Sequence, residues 1–277
     1  MTSTHNRWIT AWTADDPLDV RHSLITHDAG TWSTGERYGV EYRDLGLLEA
    51  SDAKMGAKHL RLTSLADFNN DWRFHELDFQ WIYVINGEIT IEVEDGGRHR
   101  LTKGSAALHP SYWRYRELDP SGDFEALEVT GPGIFPTTYG KHVELPGSPK
   151  FEASYQHDSP DVYRPAAGPR PFFEYRDFGL AGPTEGRIHL HLVRSVTKAV
   201  EGGTGAHHHS MAQWFMPLSG WADLTVWGED AGRMQPGDFR CVPRRTVHDV
   251  PAYADDYATL EMCIPAKYDT VTIDKGD

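Results

Sequence analysis

The sequence predicts an all-β protein, a sandwich or jelly roll, in which one module occurs twice. Three observations carry that expectation. Residues 41–47 read EYRDLGL and residues 174–180 read EYRDFGL, so six of seven positions match at a separation of 133. Short segments alternate charged and apolar residues, as EITIEVEDG does over 88–96, with the two-residue period of a half-buried strand. The chain of 277 residues also holds 26 Gly and 17 Pro, enough for many tight turns, and shows no convincing amphipathic helix.

The same separation holds along both halves. Gln80-Trp81 meets Gln213-Trp214, Gly87 meets Gly220, Gly104 meets Gly237, and Pro110 meets Pro243. Leu127-Glu128 meets Leu260-Glu261, and Pro132 meets Pro265. So long a period with two copies indicates a duplicated domain rather than a solenoid. Taken in order, residues 1–39 have no counterpart and form an N-terminal extension. Residues 40–132 are the first barrel. Residues 133–172 are a linker rich in Gly and Pro, where Pro fixes φ and removes donors. At about 40 residues the linker is long for a plain loop and is expected to pack on its neighbours. Residues 173–277 are the second barrel with a C-terminal tail. Within it, RIHLHLVRS (187–195) sets His189 and His191 on one face, and YATLEMCIP (257–265) reads as a further strand.

Composition excludes several function classes. A net charge of −14 repels phosphate backbones, so no nucleic-acid partner is expected. No apolar run of membrane-spanning length is present, and the N-terminus lacks the basic and apolar regions of a secretory signal. The two cysteines, Cys241 and Cys263, are too few for a disulfide framework and suit a reducing cytoplasm as core thiols. The expectation is a cytoplasmic protein with a small-molecule substrate and no membrane partner.

The second module carries the chemistry. In a strand, His207 and His209 point together and His208 points away. Gln213 shares their face if the strand runs on unbroken. Downstream, Gly237, Pro243 and His248 form a turn that brings a third imidazole in from a neighbouring strand. The spacing His207, His209, Gln213, Gly220 is similar to the first cupin motif. Gly237, Pro243 and His248 are similar to the second, with Arg245 in place of the usual Gly. The chain resembles a bicupin, a duplicated jelly-roll β-barrel, over both modules but not over the extension or the linker.

The resemblance implies that His207, His209 and His248 bind one divalent transition metal. Gln213 replaces the usual Glu and either ligates or hydrogen-bonds a ligand. A neutral amide cannot take a proton at pH 7, so the site keeps the ion's full charge and favours an anionic substrate. Three-histidine cupins include iron dioxygenases of the quercetinase type. Neutral imidazoles with open positions let Fe(II) hold an enolate or phenolate beside O₂. The first reading is thus an Fe(II) dioxygenase cleaving a small aromatic or enolisable carbonyl compound. A redox-neutral lyase, isomerase or cyclase using Mn, Zn or Ni is the alternative, and a non-catalytic binding protein is the third. His189, His191 and Phe215 are candidate substrate-binding residues, and Glu261 is a candidate base. Arg194, Arg240, Arg244 and Arg245 are candidates for a carboxylate contact at the mouth. Barrel edges of this kind pair, so a homodimer is among the expected partners. In the first module the repeat sets Phe74, Glu76, Gln80 and Tyr115 at the four ligand positions, a poor set for a late transition metal. His75 faces the site only if the strand is locally shifted. The first barrel is expected to be metal-free.

Overall fold

The computed structural model describes residues 12–35, 37–166, 170–198, 203–227 and 232–273. Almost all of its regular structure is β-strand, and its one α-helix among the described residues is the single turn Leu47–Ala50. The chain forms two compact units, described over residues 31–158 and over residues 12–30 with 159–273. Each is a jelly-roll barrel of one seven-stranded and one five-stranded sheet.

In the first unit the larger sheet runs Ser154–Gln156, Ala106–Pro110, Phe79–Asn86, Glu125–Gly131, Gly56–Leu62, Val40–Asp44, Trp32–Thr34. Its smaller sheet runs Thr137–Tyr139, Arg73–His75, Tyr115–Leu118, Glu88–Val93, Gly97–Thr102. In the second unit the larger sheet runs Ser23–Ile25, Phe239–Val242, Ala212–Ser219, Ala258–Ile264, His189–Ser195, Phe173–Asp177, Arg164–Pro165. The smaller runs Thr270–Thr272, His207–His209, His248–Tyr253, Ala222–Val226, Gly232–Met234. Strand for strand, the two orders agree.

The alternation read from sequence is the alternation of burial. In Glu88–Val93 the residues Ile89, Ile91 and Val93 are buried and the polar residues between them are half-buried. They pack with Ile82, Val84 and Phe124, each such side chain contributing about 1.5–3 kcal/mol through removal from water. The second barrel buries Phe172, Phe173, Val193 and Tyr253 in the same way. Trp81 and Trp214, matched in the repeat, are both fully buried. The repeated RD-x-G stretch is explained by a turn. Asp44 Oδ1 accepts from the Gly46 N–H at 2.8 Å and Asp177 Oδ1 from that of Gly179 at 2.7 Å. Both glycines have positive φ, 79° and 70°, which other residues reach at a cost.

Described parts of the extension and the linker join the barrels as strands. Strand Ser23–Ile25 precedes the first barrel in sequence yet pairs with Phe239–Val242 of the second. Strand Ser154–Gln156 precedes the second barrel and pairs with Ala106–Pro110 of the first. Arg244 N donates to Asp19 Oδ1 at 3.0 Å, fastening residues 12–30 beside the turn that leads to His248. Both cysteines are free, buried thiols. No helix among the described residues is long and apolar enough to cross a membrane.

Candidate metal centre

His207 and His209 lie on the short strand His207–His209 and His248 opens the strand beside it, with His207 and His248 directly paired. The ring centroids are 4.4 Å apart for His207 and His248, 4.8 Å for His207 and His209, and 5.2 Å for His209 and His248. One nitrogen from each ring lies within 4.8 Å of the other two. The remaining nitrogens are anchored. His207 Nδ1 meets Gly205 O at 2.6 Å, His209 Nδ1 meets Thr270 Oγ1 at 2.8 Å, and His248 Nδ1 meets Thr246 O at 2.9 Å. A backbone carbonyl accepts only from an N–H, so Nδ1 carries the proton in His207 and His248, and Nε2 presents its lone pair. That is the tautomer and orientation metal-bound imidazoles need.

Burial also keeps these rings neutral. It lowers His209 to about 3 and His248 to about 4, and it lowers His207 as well. Gln213 enters from strand Ala212–Ser219, and its Nε2 lies 2.9 Å from His248 Nε2. Its Oε1 is buried with no hydrogen-bond partner. A buried acceptor left unpaired costs about 1–3 kcal/mol. Turned by 180°, the same amide would offer that oxygen to a cation shared with His248. The donor set and the orphaned oxygen fit a divalent metal ion.

The turn before His248 shows why its sequence departs from the cupin pattern. Arg245 stands where Gly is usual and takes the left-handed conformation itself, φ 60°, while its N–H bonds His209 O at 2.8 Å. Tyr112, its match in the first barrel, does the same with φ 58° and a 3.0 Å bond to His75 O.

Beside the imidazoles lies a chain of polar groups. His191 Nε2 meets Glu261 Oε2 at 2.9 Å, His191 Nδ1 meets His189 Nε2 at 2.7 Å, and His189 Nδ1 lies 3.6 Å from Asp177 Oδ1. Burial alone would raise the Glu261 carboxyl, but the hydrogen bond and electrostatic pull of His191 outweigh it and hold the group at about 2. Glu261 is therefore an anion, and its charge bears on all three imidazoles. His191, Glu261 and Cys263 form a second convergent cluster, but burial keeps the Cys263 thiol protonated.

A cavity of about 840 Å³ opens over His207 and His209, walled by Phe172, Tyr175 and Tyr268 and reached by His189, His191 and Arg170. Arg170 Nη2 lies 2.9 Å from His207 Nε2. Of the residues anticipated for substrate, His189 and His191 line this cavity. Phe215 does not: it packs against the cluster of Leu224, Val226 and Met234, with its ring 6.3 Å from that of His248. The four arginines anticipated at the mouth are also elsewhere. Arg194 pairs with Glu174 and stacks on Tyr163, Arg244 pairs with Asp19, Arg240 is buried, and Arg245 serves the turn. Arg170 is the cation that the sequence did not single out, because it sits in the linker with no periodicity around it.

The first barrel differs from the expectation by one residue. Tyr115 pairs with Arg73, as His248 pairs with His207. His75 pairs with Thr137, as His209 pairs with Thr270. Arg73 and His75, not Phe74 and Glu76, are the counterparts of His207 and His209. Four residues separate His75 from Gln80, where three separate His209 from Gln213. The extra residue flips the strand face. His75 Nδ1 meets Thr137 Oγ1 at 2.9 Å, repeating the His209–Thr270 bond. Its Nε2 is taken by Tyr115 Oη at 3.0 Å. Among the described residues, the convergent groups of three metal-ligating side chains all lie in the second unit.

No family model and no curated protein matches the sequence. Solved structures do match its shape. Oxalate decarboxylase from Bacillus subtilis at pH 4.6 aligns with a TM-score of 0.59 at 17% identity, over 90% of this chain and 78% of that one. A structure of the same enzyme, studied for its Mn(II) centres, aligns at 0.57 and 17% over 90% and 79%. Another oxalate decarboxylase, studied for proton-coupled electron transfer, aligns at 0.58 and 16% over 92% and 80%. At such identity the likeness establishes a shared double-barrel fold.

Proposed function

We propose that the second barrel is a divalent-metal-dependent enzyme acting without net oxidation on a small carboxylate-bearing substrate, as a lyase, isomerase or cyclase does. One observation carries the metal: three anchored, neutral imidazoles converge beside the orphaned Gln213 Oε1. His207, His209 and His248 would hold the ion, with Gln213 as the fourth ligand. When bound, it supplies Lewis acidity to a substrate carboxylate or hydroxyl. Mn, Zn and Ni suit this role as well as iron does.

The chain's own groups supply the rest. Arg170 lines the cavity and binds the substrate carboxylate through a guanidinium fork. Tyr175, Phe172 and Tyr268 wall the substrate off from water. Glu261 accepts the substrate proton, the role that neutral Gln213 cannot fill. The His191 Nε2–H that bonds Glu261, and the 2.7 Å contact of His191 Nδ1 with His189 Nε2, tie that carboxylate to the cavity wall, where His189 and His191 meet the substrate and exchange protons with water near exposed Asp177. The solved oxalate decarboxylases, one studied for its Mn(II), support this reading by likeness of fold.

The Fe(II) dioxygenase is the second reading. It is favoured by the all-neutral donor set, which leaves a metal's charge for an anionic substrate and O₂. Metal-loaded protein incubated with small carboxylic acids under argon and under air separates the two. Turnover under argon is the expected result. Turnover in air alone would establish the dioxygenase, and none with Mn, Fe, Zn or Ni would leave a binding protein.

A further inference from the structure

We propose that the first barrel holds a second, metal-independent pocket for a small organic monocarboxylate, with the Arg73 guanidinium as its anchor. This does not rest on the metal in the second barrel. The pocket is a cavity of about 470 Å³ within the first unit, a size that suits a small ligand. Its floor is Arg73, Arg37, Tyr115 and Gln80, its walls include Tyr42 and Phe135, and Lys58 stands exposed at the rim.

A buried donor at the cavity floor points to the ligand. Arg73 is 2% exposed and lies 4.7 Å over the Tyr115 ring. Arg73 and Arg37 both pair with the one buried carboxylate of Glu117. Arg73 Nη2 is 2.9 Å from Glu117 Oε1 but lacks hydrogen-bond geometry, so that one nitrogen is buried without a hydrogen-bond partner. Glu117 is shared by two guanidiniums, so it cannot satisfy both, and a ligand carboxylate at Arg73 would supply the acceptor its buried Nη2 lacks; Asp44 and Glu128, which also line the cavity, limit that ligand to a single charge. The guanidinium fork suits a carboxylate better than any other small anion except phosphate. Glu128 also lines the cavity, held by Gln80 Nε2 at 2.7 Å, and it disfavours a dianion such as phosphate or a dicarboxylate. The aromatic walls take the ligand's apolar body. In the register of the fold, Arg73 stands where His207 stands in the second barrel. One barrel presents converging lone pairs at that place, and the other presents a fixed cation.

The test is calorimetric titration of the full chain with benzoate, after chelator treatment and with Arg170→Met present to remove the other cavity's anchor. Saturable benzoate binding is expected, with none for benzamide. Adding Arg73→Met should abolish it. Adding Lys58→Glu, an exposed change that leaves folding intact, should weaken it about threefold at low salt and less at high salt. Loss of all benzoate binding on Arg170→Met alone would overturn the proposal. So would binding unchanged by both Lys58→Glu and Arg73→Met, or equal binding of benzamide.

Discussion

The two barrels share strand order, register and even the unusual turn at Tyr112 and Arg245, yet their floors carry opposite chemistry. In the second, His207, His209 and His248 turn neutral nitrogen lone pairs towards one point. In the first, the matched positions hold Arg73, His75 and Tyr115, whose donors fill that point with protein. His75 keeps the matching partner, bonding Thr137 as His209 bonds Thr270. The difference teaches that one scaffold, with Trp81 and Trp214 buried alike in its two copies, can carry either a converging set of lone pairs or a set of donors at the same place.

The comparison breaks most sharply at His248. His248→Ala should weaken metal binding more than about 100-fold, beyond the loss of a mere supporting hydrogen bond, while Tyr115→Ala leaves metal binding unchanged. Equilibrium dialysis with Mn²⁺ checks both. Glu261→Gln should lower turnover about 100-fold with little change in metal affinity, the outcome expected if the carboxylate handles a proton and does not ligate. A matching loss of metal would show that Glu261 is itself a ligand. Thr270→Val removes the bond that orients His209 and should cost about tenfold in metal affinity. Thr137→Val, its counterpart, should cost none.

A smaller effect lies in pH. Burial holds His109 at about 3 and His75 well below its ordinary value, so both are neutral in the folded first barrel. The unfolded chain takes up their protons below about pH 6.5. Stability is thus complete above that pH and falls as pH drops towards 3, by about 2 kcal/mol at pH 5 from His109, with His75 adding to the loss in the same direction. Glu261 acts in the same direction at lower pH: its contribution is complete above about 4.5 and is lost as pH falls from there through about 2, below the interval from pH 7 to pH 5. Urea unfolding at pH 7 and pH 5 measures the difference, and equal stabilities would refute it.

Much of this was legible in the residues. The repeat announced two barrels, and alternation placed His189, His191, His207 and His209 on their faces. Four features were not legible. The extra residue between His75 and Gln80 cannot be seen from matches on either side of it, because a compensating difference upstream restores the separation. Arg170 and strand Ser23–Ile25 take their places from tertiary packing and carry no local pattern. Phe215 has the parity of Gln213, but the small strands opposite it leave an apolar recess that its ring fills.

The central claim is one metal barrel and one guanidinium barrel in a single chain. The most direct measurement is metal stoichiometry after anaerobic purification and reconstitution, for the wild type and for Arg73→His with Tyr115→His. The account predicts one equivalent in the wild type and two in the double variant, whose new imidazoles would join His75 and Gln80. Two equivalents in the wild type, or none, would contradict it.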